Sequence, residues 1–129
     1  MLNIGITSRS YSGLTICDAA LDMAGKGFKC TELCFTHPEL PGWTYNGIGS
    51  LEGITPKKVR EMADEFRHRG VDVTSLGMFT DLRSPDKTAR DAAVDYTRRY
   101  VEFAAEAGIP YIASVADFRR TPTRATILI

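Results

Sequence analysis

Three times in this chain a stretch with helical periodicity runs into a glycine, and a short strand-like run follows at once. The three runs are Gly27-Phe28-Lys29-Cys30-Thr31-Glu32-Leu33, Gly70-Val71-Asp72-Val73-Thr74-Ser75-Leu76 and Gly108-Ile109-Pro110-Tyr111-Ile112-Ala113-Ser114. The glycines lie 43 and 38 residues apart, a spacing that holds one helix, one strand and their loops. Strands separated by single helices must run parallel through right-handed crossovers, because the helix carries the chain back to the starting edge before each new strand. At 129 residues there is room for one domain. Two architectures satisfy the repeat: an open doubly wound sheet, or part of a (β/α)₈ barrel.

The helical stretches carry their own signature. Cys17, Ala20, Leu21 and Ala24 fall at i, i+3, i+4 and i+7, as do Val59, Met62, Ala63 and Phe66. Ala89, Ala93, Tyr96, Tyr100, Phe103, Ala104 and Ala107 make a longer third stripe. Thr55-Pro56 and Ser84-Pro85 each set a capping hydroxyl before a proline whose missing N–H costs nothing in a first turn. Gly27, Gly70 and Gly108 stand where a helix C-terminus favours a residue that accepts positive φ. Strands are predicted over Asn3–Ser8, Cys30–Phe35, Val71–Gly77 and Tyr111–Val115, giving the order βαβαβαβ. Two stretches break the rhythm: a long loop from Thr36 to Ile54, of a length usually reserved for function, and a tail from Phe118 to Ile129.

Composition mainly excludes. Sixteen basic against sixteen acidic residues leave no net field to gather nucleic acid or an anionic membrane. No apolar run is long enough to span a bilayer, and the N-terminus lacks a basic n-region, so the expected compartment is the cytoplasm. Cys17, Cys30 and Cys34 are odd in number and form no Cys-x-x-Cys pair, which points to three small core residues.

There is no phosphate loop and no Gly-x-Gly-x-x-Gly after the first strand, a direct objection to a flavodoxin-like open sheet. A Gly-x-Ser-x-Gly elbow is also absent, and His37 and His68 give a triad little to draw on. His68 completes a cationic last helical turn and takes no catalytic role. Glu32 is the most informative residue. Strand alternation puts Thr31, Leu33 and Phe35 on one face and Cys30, Glu32 and Cys34 on the other, and an acid in a buried parallel strand is costly unless paired or bound. It either faces a polar interior near substrate or forms a structural ion pair. Trp43, Tyr45, Met78 and Phe79 fall in loops at the same strand ends as His37, where they either wall a pocket or close over the sheet as a satellite core.

Asn3-Ile4-Gly5-Ile6, the segment Gly27–Leu33, and above all Leu51-Glu52-Gly53-Ile54-Thr55-Pro56 through Gly70-Val71-Asp72-Val73-Thr74-Ser75-Leu76-Gly77 resemble the xylose-isomerase-like TIM-barrel family. The resemblance covers about residues 1 to 115 and rests on the order and spacing of the repeat. It implies an α/β fold built from a parallel (β/α) repeat: four strands and three helices, half of a TIM (β/α)₈ barrel. Residues 1–117 would form the N-terminal half, and 118–129 an atypical tail, truncated or frame-shifted.

The resemblance further implies a sugar or sugar-phosphate isomerase or epimerase, acting on a ketose by metal-assisted proton transfer. The divalent metal, such as Mn²⁺ or Mg²⁺, is held mainly from later strands, so this chain is expected to carry no metal ligand or catalytic residue of its own and to be inactive alone. By similarity Ser8, Tyr11, Glu32, His37, Met78, Phe79, Ser114 and Asp117 would face a small sugar or sugar phosphate. The expected partner is a second copy or a missing C-terminal half, with no nucleic acid and no membrane. The alternatives are a non-catalytic module that binds a small ligand or a partner, and an endonuclease IV-like barrel fragment. The absence of histidine from Val71 to Asp81 and from Tyr111 to Phe118 disfavours the endonuclease branch.

Overall fold

The computed structural model describes residues 2–45 and 47–114; Asp117 and the 118–129 tail lie outside the described residues. Strand β1 (Gly5–Thr7) leads through a 3₁₀ turn (Ser8–Tyr11) into helix α1 (Ile16–Gly25). Strand β2 (Cys30–Leu33), helix α2 (Pro56–Arg67), strand β3 (Asp72–Gly77), helix α3 (Lys87–Ala107) and strand β4 (Tyr111–Ala113) follow. All pairings are parallel and the sheet order is β1-β2-β3-β4. A doubly wound sheet reverses its order at a switch point, whereas a barrel adds each strand beside the last. The observed progression is that of a partial barrel.

The register gives the sheet two faces. Ile6, Thr31, Leu33, Val73, Leu76 and Ile112 lie on the face covered by the helices, where the apolar ones pack into one hydrophobic core with Met23, Val59, Phe66, Tyr100 and Phe103. Gly5, Thr7, Cys30, Glu32, Ser75, Gly77, Tyr111 and Ala113 share the other face, the inner face of the partial barrel, where Tyr111 is 71% exposed. A register shift between Thr31 and Glu32 skips Thr74 and sets Ser75 opposite Glu32. The Thr74 hydroxyl donates to the Thr31 carbonyl at 3.3 Å, which holds the skipped residue against β2.

Much of the punctuation follows the sequence. Thr55 caps α2, accepting from the Lys58 N–H, with Pro56 at the first helical position. Gly27, Gly70 and Gly108 have φ of 82°, 79° and 66°. The stripe Val59, Met62, Ala63 and Phe66 is buried throughout.

Three expectations need correction. The buried face of α1 is Ile16, Ala19, Ala20 and Met23, one residue earlier than the stripe from Cys17; Leu21 is 61% exposed. The earlier stripe carries the bulkier Ile16 and Met23, so burying it removes more apolar surface from water. Cys17 is accordingly exposed, and only Cys34 of the three cysteines is fully buried. Helix α3 is capped by Asp86, which accepts from the Ala89 N–H at 2.7 Å, so Ser84-Pro85 precedes the helix and Ala89 is an exposed first-turn residue. An ionised Asp cap satisfies the end N–H groups and meets the positive end of the helix dipole, which a neutral serine cannot.

Gly5 sits against the backbone of β2: an added Cβ would lie 2.5 Å from Cys30 Sγ and 2.6 Å from Cys30 O. Gly5→Ala should therefore cost about 1–3 kcal/mol by overpacking, whereas Gly13→Ala, which meets nothing within 4 Å, should stay within about 0.5 kcal/mol. Denaturant midpoints of the two variants check this; equal midpoints would contradict the close approach of β1 to β2.

Candidate functional site

In parallel α/β folds the carboxyl ends of the strands gather the loops that carry chemistry. Here the first two strand ends are stitched together beyond their last ladder pair. Ser8 is fully buried; its hydroxyl accepts from the Cys34 N–H at 2.8 Å and donates to the Cys34 carbonyl at 3.4 Å. That clamp fixes Thr7 beside Glu32, so the Thr7 hydroxyl donates to Glu32 Oε1 at 3.0 Å. The Cys34 thiol donates to the same oxygen at 3.5 Å. Among the described residues no lysine or arginine forms an ion pair with Glu32, so the structural ion pair considered for it is not formed there. The carboxylate is half-buried, faces the inner side and is held by neutral donors alone. Gly77 makes room for it: a Cβ there would come within 2.5 Å of Cys34 Sγ and 3.1 Å of Glu32 Cδ.

Burial, and next the neighbouring Glu32 charge, push the Cys34 thiol up to about 12; the Thr7 hydrogen bond and the Arg9 charge pull the other way. Arg9 spans this cluster and the loops above it. Its guanidinium lies 5.1 Å from the Tyr45 ring and 5.4 Å from the Phe79 ring. Trp43 joins both rings, edge-on to Phe79 at 5.8 Å and tilted to Tyr45 at 5.7 Å. The loop aromatics therefore form a cluster over the strand ends.

Of the residues expected at the site, Ser8 acts on the backbone of β2, and Tyr11 turns to α1, where the Lys26 ammonium lies 5.9 Å from its ring. Met78 belongs to the hydrophobic core at 1% exposure, and its N–H donates to the Ala113 carbonyl, which ties the end of β3 down. Phe79 joins the aromatic cluster and Ser114 is exposed at the end of β4. His37 is 2% exposed, its Nδ1 2.8 Å from the Leu14 carbonyl. It lines a cleft of about 290 Å³ with Arg9, Ser12, Thr36 and Trp43. A larger cleft, about 570 Å³, lies on the flank between residues 48–51 and α3, away from the strand ends and from these polar groups. Sequence reasoning missed Arg9, Thr36 and Glu39, whose carboxylate accepts from the Ile16 N–H at 2.6 Å and so pins the long loop to the start of α1. Their roles depend on loops that meet only in the fold, and no local pattern marks them.

Residues 20–127 match the family described as the xylose isomerase-like TIM barrel. The chain belongs to that family. Among solved structures, it is similar to the probable 3-DHS dehydratase AsbF of Bacillus anthracis, involved in petrobactin synthesis, at 12% identity and a TM-score of 0.63, over 89% of this chain and 38% of that one. D-psicose 3-epimerase, crystallised in the presence of D-fructose, matches at 15% identity and a TM-score of 0.61, over 88% and 37% of the two chains. Protein SMc04130 from Sinorhizobium meliloti 1021 matches at 20% and 0.60, over 92% and 39%. At these identities the likeness is one of fold, and the chain spans about two fifths of the length of these structures. No curated protein matches. For the divalent metal the resemblance implies, the donor set does not fit: among the described residues no three His, Cys, Asp or Glu side chains converge to hold one. No helix among the described residues is long and apolar enough to cross a membrane.

The Cys34 thiol yields a pH prediction. An unfolded chain releases that proton near the ordinary value of 9.0, while the folded chain keeps it up to about 12. The folded state thus binds more protons between these values, and its stability should fall there by on the order of 1.4 kcal/mol per pH unit. Cys34→Ala should remove this contribution while leaving that of other alkaline groups. Parallel pH slopes for the two proteins in denaturant unfolding would contradict it.

Proposed function

We propose that the inner face around Glu32 is the substrate-facing wall of a sugar or sugar-phosphate isomerase or epimerase that moves a proton beside a carbonyl. The observation that carries this reading is the Glu32 carboxylate: half-buried on the inner face, and fixed through Oε1 by Thr7 and Cys34. An ion pair would consume its charge, whereas neutral donors position it and leave the acceptor strength of the group available. A sugar presents hydroxyl donors, and a preset carboxylate accepts them with charge-assisted hydrogen bonds. Support also comes from membership of the xylose isomerase-like family and from a structural neighbour described as a D-psicose 3-epimerase.

The division of labour follows from chemistry. Abstraction of a proton beside a carbonyl requires a base and a group that holds the enediolate charge. The described residues offer recognition: Glu32 accepts substrate hydroxyls, Thr7 holds its rotamer, and the buried Cys34 thiol keeps its proton beside the carboxylate. Under this reading Glu32 orients the substrate, and the proton-transfer groups come from residues outside those described.

Amide-resolved NMR titration with D-fructose tests it. Binding should move the resonances of Thr7, Glu32, Gly77 and Ala113, and Glu32→Gln should weaken the response by roughly tenfold, the worth of a charged over a neutral hydrogen bond, with a stability change below about 1 kcal/mol because the amide oxygen still accepts from Thr7. A response confined to the flank of α3, or one indifferent to Glu32→Gln, would defeat the assignment. In the same samples, incubated with Mn²⁺ or Mg²⁺, the chain alone should not turn over ketoses; turnover abolished by a chelator would show that it assembles the reaction centre itself.

A further inference from the structure

His37 Nε2 and Thr36 Oγ1 are buried without protein partners, and both residues belong to the lining of the same cleft. Buried polar groups are paired in the great majority of cases, so two orphans on adjacent residues call for a partner that the protein itself does not supply. The chemistry of each can be read. The Leu14 carbonyl can only accept, so the Nδ1 that lies 2.8 Å from it carries the proton. In the neutral ring this leaves Nε2 a lone-pair acceptor, and an acceptor in a cleft takes a hydroxyl donor. Thr36 Oγ1 both donates and accepts, which suits a second hydroxyl.

Arg9 supplies the third element. Its guanidinium is stacked on Tyr45 and Phe79, and among the described residues no carboxylate pairs with it. A guanidinium held against two rings keeps its N–H donors for a bidentate acceptor, carboxylate or phosphate. Trp43 forms an apolar wall of the same cleft. At about 290 Å³ the space is at the lower end for ligand pockets and suits a small metabolite.

We propose that this cleft binds the anionic end of a small polyhydroxylated ligand, with its carboxylate or phosphate on Arg9, one hydroxyl donating to His37 Nε2 and another on Thr36 Oγ1. The inference rests on the sugar-processing reading above and deepens it: Glu32 would meet the neutral part of the substrate and the cleft its charged part.

Calorimetric titration of the whole chain with D-gluconate, D-ribose 5-phosphate and neutral D-fructose tests this, together with side-chain ¹⁵N spectra of His37. At least one of the two anions should bind about tenfold tighter than fructose, and which one does so tells carboxylate from phosphate. Arg9→Gln should bring that affinity down to the fructose level, Thr36→Val should weaken it, and the His37 Nε2 resonance should move on binding. His37→Gln also alters the bond to the Leu14 carbonyl that holds the loop, so Arg9→Gln and Thr36→Val carry the test. Anion affinity indifferent to Arg9→Gln, or a His37 Nε2 resonance that no ligand moves because an ordered water already fills the site, would overturn it. If fructose still shifts Glu32 but no anion is preferred, only this inference fails; if an anion binds the cleft while Glu32 stays silent, the assignment of Glu32 fails and the cleft stands.

Discussion

The strand ends depend on one buried serine. Ser8 takes the N–H of Cys34 and gives its own proton to the Cys34 carbonyl, continuing the β1–β2 pairing past the point where the regular ladder stops. Without that clamp Thr7 and Glu32 would be paired only by the last rung of a three-residue ladder, at a place where the chain is already turning into its first crossover. Because the clamp is buried and fully satisfied, breaking it leaves two backbone groups without partners, a cost of about 1–3 kcal/mol for each. Holding Thr7 in turn holds the Glu32 carboxylate. A local backbone device thereby becomes an oriented polar group on the inner face.

The same two-sidedness of β2 organises the packing. Its outward residues Thr31, Leu33 and Phe35 are buried against the helices, with the Phe35 ring tilted against Tyr100 at 5.2 Å and edge-on to Phe103 at 6.1 Å. Helices α2 and α3 are also joined at their rim, where Arg60 donates to the Glu106 carbonyl and Arg67 to the Gly108 carbonyl, the latter at 3.3 Å. These rim contacts are exposed and contribute little individually. The rigid support for the site is the apolar layer beneath it, and the loops above are free to carry recognition.

The fold was largely legible because it is written in periods. The four strands and three α-helices of the described residues stand in the order read from the sequence, the 3₁₀ turn at Ser8–Tyr11 being the element not foreseen, and the alternation around Glu32 separates Thr31, Leu33 and Phe35 from Cys30, Glu32 and Cys34 as the structure does. Where two stripes compete within one short helix, as in α1, the period alone does not choose; side-chain volume does, and it favours Ile16 and Met23 over Cys17 and Ala24. The site was less legible. Met78 reads as a loop residue in sequence, yet the bond from its N–H to Ala113 turns its side chain into the core. Arg9 and Thr36 gain their meaning from rings and a histidine that other loops deliver, which is a tertiary fact without a local trace.

The central claim is that the inner face at the strand ends, and not the larger flank cleft on α3, receives a hydroxylated substrate. Crystals of the chain soaked with D-fructose test it most directly. The account predicts density with a sugar oxygen within about 2.6–3.2 Å of the Glu32 carboxylate. Sugar density seated instead among Leu51, Tyr96 and Arg99, with the Glu32 carboxylate untouched, would contradict it.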